Sequence, residues 1–119
     1  MAVVDAESVP DHVPSVRVLE EVLFLQFSHH ADERVRQRAG FSFPVVEDMV
    51  LQPYGRIFYD TYGEVFVVFA PEPAAETDKP RAVVVAVEGM TATVITAHSV
   101  DDPQQYDVRE RYVFLGDYT

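Results

Sequence analysis

The residues best suited to chemistry lie in one short stretch, residues 29–40 (HHADERVRQRAG). On a helix, His30, Arg34 and Arg38 are spaced four apart and share one face. Each guanidinium offers a planar fork of donors to a phosphate, and an imidazole exchanges a proton near neutral pH. Together they suit the handling of a phosphate group. Cations are scarce in this chain, with eight arginines and the single Lys79 against twenty acids. Four of those nine cations are Arg34, Arg36, Arg38 and Arg56. The competing reading is an ordinary solvated helix whose arginines pair with Asp32 and Glu33, an arrangement that contributes little. Metal binding has no comparable pattern. His29 and His30 diverge on a helix, and His12 and His98 have no cysteine or second histidine at ligand spacing. No metal and no cofactor is expected.

The elements that must hold this stretch can be read on either side of it. Residues 1–14 carry Pro10 and Pro14 without a sustained period and suggest a loose N-terminal arm, with one domain over 15–119. Residues 15–27 fit a short helix or turn giving way to a strand that ends near Ser28. A helix over 29–39 stops at Gly40, and its apolar stripe is thin: Ala31, Val35 and Ala39. Ser42 offers a cap to a second helix, with Pro44 in its first turn and Val46, Met49 and Val50 on its buried face. Strands follow at 56–59, 64–70, 82–87 and 91–97, the first two joined by a hairpin at 60–63. Residues 71–80 read as a flexible loop, and 106–115 as a last strand or a short helix. The expected fold is α+β, with two N-terminal helices packed on a mainly antiparallel sheet of four to five strands.

Composition narrows the function. A chain of 119 residues, nearly half of them apolar, buries a core of its own. The absence of cysteine fits a reducing compartment, and no secretory signal or membrane-length apolar run is visible, so a cytoplasmic protein without membrane partners is expected. A net charge of −11 opposes nonspecific nucleic-acid binding. It is read either as a functional acidic face or as acid enrichment typical of a salt-adapted or GC-rich proteome.

The series His30-Ala31, Arg34, Arg38, Gly40-Phe41-Ser42 resembles the opening helix of small RelE-like domains in the barnase–EndoU–colicin–RelE group of ribonucleases and toxins. The likeness extends through 56–59 (RIFY), the aromatic and valine strand at 64–69, and 94–97 (VITA), covering roughly residues 29–98. It implies a metal-independent endoribonuclease of toxin type. A ribose 2′-hydroxyl attacks its own phosphate and expels the 5′-oxygen, which needs proton transfer and cationic stabilisation. The resemblance makes His30 the general acid or base, Arg34 and Arg38 the phosphate holders, and Thr96 the source of a hydroxyl. His98 is added as a second proton-transfer group, Arg56 as a further cation at the substrate, and Tyr59 as a stacking ring beside Tyr54, Phe58 and Tyr62. RNA or the ribosome would be the substrate partner and a cognate antitoxin the protein partner. The rival is a non-enzymatic acidic protein-binding module: a degenerate toxin relative, an immunity protein or an inhibitor. A third reading is a salt-adapted domain with no site on this helix.

Overall fold

The computed structural model describes residues 13–117. In chain order the elements are α1 (Arg17–Glu20), β1 (Phe24–Phe27), α2 (His29–Gln37), α3 (Phe43–Leu51), β2 (Arg56–Asp60), β3 (Val65–Phe69), β4 (Arg81–Glu88), β5 (Thr91–Ser99), α4 (Gln105–Val108) and β6 (Tyr112–Asp117). The strands form one sheet in the order β1-β5-β4-β3-β2-β6. β1 runs parallel to β5, and every other neighbouring pair is antiparallel.

This corrects the expected RelE-like architecture. Two helices on a sheet of four to five strands give way to four short helices and a six-stranded mixed sheet. The difference arises at the two ends of the chain. β1 is only four residues long and finds its partner in β5, with Phe24 opposite Thr91 and Phe27 opposite Val94. No local pattern specifies so distant a parallel partner. Near the C-terminus the strand and the helix both form: α4 is one turn, and β6 then pairs with the far edge of β2. The N-terminal arm expected over 1–14 lies almost wholly outside the described residues, and Val13 within it is buried in the main core.

Alternation along the strands divides the sheet into two faces. The first carries Ile57, Val68, Val83, Val85 and Val94, all buried beneath Ala31 and Val35 of α2 and Val46 and Val50 of α3. Tyr59 is part of this core. It is buried edge-on to Phe66, with ring centroids 5.2 Å apart, so it cannot stack a base as expected. The second face has a smaller core of Phe58, Val67, Phe69, Ala82 and Val100, roofed by Tyr106 of α4. Tyr106 meets Phe58, Phe69 and Tyr112 with centroids 5.6, 5.1 and 4.4 Å apart.

Asp60 is the one buried charged residue in the described chain, at 7% exposure. Burial alone would raise its pKa. The Arg111 side chain and the backbone amides of Tyr62 and Gly63 outweigh that and hold the carboxyl below its usual range. Arg111 is itself stacked between Tyr62 and Tyr112, at 4.8 and 4.9 Å from the ring centroids. The pair closes the β2–β3 turn onto β6. Asp60→Ala leaves Arg111 without its counter-charge and is expected to cost about 2 kcal/mol, less than a fully buried pair because Arg111 is partly solvated. Denaturant unfolding at neutral pH measures it. Because the folded pKa is depressed, the carboxylate's contribution is present above about pH 4 and is lost as pH falls through the folded value. The wild-type and variant stability curves should therefore converge in acid.

Candidate functional site

Local sequence places α2 tightly against β5. Ser28 caps the helix by accepting from the Ala31 amide at 3.0 Å, while its own hydroxyl donates to the Ile95 carbonyl at 3.1 Å. Ile95 is the extra residue of a β-bulge, since Val85 faces Val94 while Val84 faces Thr96. β1 ends opposite Val94, so β5 beyond it has a free edge on that side. At the other end of the helix, Arg38 turns out of helical geometry and its Nη1 donates to the Ala97 carbonyl at 2.8 Å. Gly40 follows at φ +86°, and its carbonyl accepts from Arg81 Nη1 at 3.0 Å. The 71–80 loop, expected to be flexible, packs here instead. Ala74 is buried, and its amide donates to the Lys79 carbonyl at 3.0 Å.

These anchors assemble a cationic strip. His30 is exposed, and Arg34 Nε donates to its Nε2 at a long 3.4 Å. Burial and repulsion from Arg34 lower the Arg38 pKa. Burial and then the Arg38 charge likewise lower the pKa of His98. The order along the surface is therefore His30, Arg34, Arg38, His98. Acids on α2 are engaged elsewhere: Glu33 meets His29 at 3.1 Å, and Asp32 meets Arg36 at 2.6 Å. Among the described residues no ion pair involves Arg34 or Arg38.

Arg38 and His98 line an open cleft of about 420 Å³ with Ala39, Thr77, Lys79, Ser99 and Asp101. Lys79 and Asp101 pair across it at 2.7 Å. Sequence reasoning missed Lys79, Thr77 and Ser99. The signal available was the chain's only lysine, set in a loop read as flexible. A neutral imidazole beside an arginine, with a lysine and two hydroxyls around it, can bind an oxyanion and accept a proton.

Of the expected site residues only Arg38 and His98 line this cleft; His30 and Arg34 lie outside it, further along the strip, and three others belong to neither. Thr96 shares the second sheet face with His98, opposite Val84, but does not line it. Arg56 is three strands from β5, about 14 Å at ordinary strand spacing. It pairs with Asp107 and stacks on Phe58 and Phe114, at 4.9 and 5.5 Å. Tyr59 is in the core on the other face. The missing convergence follows from strand parity and sheet order, which the ordered series of motifs did not contain.

No family model, curated protein or solved structure matches the chain. The geometry must therefore carry the functional reading. Among the described residues no three carboxylates or imidazoles are grouped to hold a metal ion, and no helix is long and apolar enough to cross a membrane. Carboxylates are spread over helices, turns and loops alike, from Glu33 and Glu47 to Glu64, Glu76 and Asp107, all exposed.

Proposed function

We propose that this chain is a metal-independent endoribonuclease of toxin type, centred on the strip from His30 to His98. The observation that supports it is the placing of one imidazole at each end of a pair of guanidiniums that no described carboxylate neutralises. In-line displacement at phosphorus needs a proton acceptor on one side of the phosphate, a donor on the other and cations between. His98 is the acceptor. Burial and the Arg38 charge keep its ring neutral, so it takes the proton of the ribose 2′-hydroxyl. The O2′–P bond forms while Arg34 and Arg38 hold the non-bridging oxygens. The P–O5′ bond breaks, and the departing oxygen takes its proton from His30, whose Nε2 must leave the long contact with Arg34 Nε to carry that proton. The products are a 2′,3′-cyclic phosphate and a 5′-hydroxyl.

His30 and Arg38 are about 12 Å apart along the helix axis, so both imidazoles reach one phosphate only when the exposed His30 side chain and Arg34 turn toward the cleft. Thr96, one row from His98 along β5, is assigned no step. RNA or a ribosome-bound message is the substrate, and a cognate antitoxin is the natural protein partner of such an enzyme. The test is incubation with total RNA and with ribosomes, with and without EDTA, followed by end-group analysis. Cleavage that persists in chelator and leaves cyclic phosphate termini is expected. Intact RNA under every condition would reject the proposal.

A second reading has one observation in its favour. Leu23, Phe24 and Met90 are 67%, 61% and 53% exposed and adjacent, since the Leu23 and Phe24 amides both donate to the Met90 carbonyl. Exposed Glu20, Glu21 and Glu88 flank them. An apolar patch with an acidic rim suits a non-enzymatic module that grips a basic protein. That reading leads if RNA survives.

A further inference from the structure

Lys79 lines the cleft, but the proposed reaction gives it no step. Its backbone is fixed by its own loop. The Ala74 amide donates to the Lys79 carbonyl at 3.0 Å, and the Lys79 amide donates to Thr77 Oγ1 at 3.3 Å. The Asp78 amide closes the turn on the Ala74 carbonyl at 2.7 Å, with Asp78 itself at φ +55°. None of these bonds uses the ammonium, which rests on Asp101 at 2.7 Å. Asp101 is the only acid lining the cleft, and its side chain is 83% exposed. So open a pair contributes little, and another anion can take the carboxylate's place.

The position of Lys79 relative to the two imidazoles sets a direction. Ser28 fixes the start of α2 at Ile95, Arg38 reaches Ala97, and the Val100 amide donates to the Pro80 carbonyl at 2.9 Å. Along β5 the groups therefore follow in the order His30, Arg38, His98, Lys79. His98 takes the proton of the 2′-hydroxyl and His30 serves the departing O5′, so the RNA strand lies with its 5′ side toward Lys79. The next phosphate on that side belongs to the nucleoside whose hydroxyl reacts. From His98 to Asp101 is at most about 11 Å of chain, which keeps that linkage within reach of the ammonium.

On the nuclease reading above, we infer that Lys79 holds the phosphate on the 5′ side of the scissile linkage, and that this phosphate displaces the Asp101 carboxylate. The charges match. Arg34, Arg38 and Lys79 supply three cations to two phosphates, and Asp101 turns to water. The substrate is thereby an internal linkage: the first linkage of a strand with a 5′-hydroxyl has no phosphate to give Lys79.

Two uncleavable probes test this. Both are dinucleotides of deoxyadenosine, which lack the attacking hydroxyl. One ends in a 5′-hydroxyl, the other in a 5′-methylphosphate that carries the single charge of an internal linkage. Isothermal titration calorimetry on the full chain at low salt measures each affinity. The wild type is expected to bind the 5′-methylphosphate form about tenfold tighter, as one charge-assisted contact to a phosphate gives. Lys79→Ala keeps the loop's backbone bonds and should bind the two probes alike. Asp101→Asn removes the competing anion, so the margin between the probes should widen. Circular dichroism confirms that both variants fold. Equal affinities in the wild type, or a preference that outlives Lys79→Ala, overturn the inference. A margin that narrows in Asp101→Asn overturns it too, because Asp101 then steadies the ammonium and does not compete for it. If neither probe binds any of the three proteins, the nuclease reading has itself failed and takes the subsite with it.

Discussion

Replacing His98 with alanine is expected to lower RNA cleavage by about a hundredfold to ten-thousandfold, the usual contribution of a positioned proton acceptor. The fold should survive, because His98 lies on the thinly covered second face and not in the core beneath α2. Arg38→Ala should reduce cleavage comparably but with a different signature. It removes the hold on the phosphate and also the contact with the Ala97 carbonyl, so both KM and kcat should suffer. Single-turnover assays on a defined RNA separate the two. Arg56→Ala is the informative control. Its guanidinium is committed to Asp107, Phe58 and Phe114 on the far side of the sheet, so cleavage should be unchanged while stability falls slightly. Equal loss in all three variants would mean that the measured activity reports folding and not a site.

Gly40→Ala is expected to be strongly destabilising. Gly40 adopts φ +86°, where an L side chain is strained, and a Cβ there would come within 2.6 Å of the Ala74 Cβ. The left-handed conformation costs about 1 kcal/mol for alanine, and the clash at a buried contact adds about 1–3. A total near 3 kcal/mol lowers the melting temperature of a domain this size by roughly 10 °C. Calorimetry measures the shift. The effect should reach the cleft, because Gly40 fixes both the exit of Arg38 from α2 and the 71–80 loop that carries Thr77 and Lys79. Ala74→Gly relieves the clash but not the backbone strain, so the double variant should recover part of the loss and not all of it.

How far the sequence carries the structure differs from element to element. The cap at Ser42, the stop at Gly40, Pro44 in the first turn and the apolar face of α3 are local signals, and each element formed where they point. The valine-rich run from β4 and the hairpin at 60–63 were equally legible. What the sequence did not contain was partnership. Whether 24–27 pairs, and with which strand, depends on contacts nearly seventy residues away. Tyr59 and Arg56 illustrate the same limit at the site. Both lie on a correctly placed strand, but the face each side chain takes and the position of β2 in the sheet remove them from the cleft. Of the α2 spacing, His30 and Arg34 keep the four-residue period intrinsic to a helix, whereas Arg38 leaves the helix as its C-cap and reaches β5 instead. Lys79 was invisible for the opposite reason, since only tertiary packing of its loop brings it beside His98.

The most direct measurement on the central claim is an NMR pH titration of the His98 ring, alone and with a 3′-nucleotide. Without ligand, burial and Arg38 should place its midpoint below that of an ordinary histidine. Because the folded value is the lower one, neutral His98 favours the fold above that range, and protonation opposes it as pH falls. A phosphate held by Arg34 and Arg38 would screen the guanidinium and favour the imidazolium, so the midpoint should rise on binding. Arg38→Ala should raise the midpoint of the free protein and abolish the response to nucleotide. A ring that titrates like free histidine, and does so identically with and without nucleotide, would contradict the claim that this cleft handles phosphate.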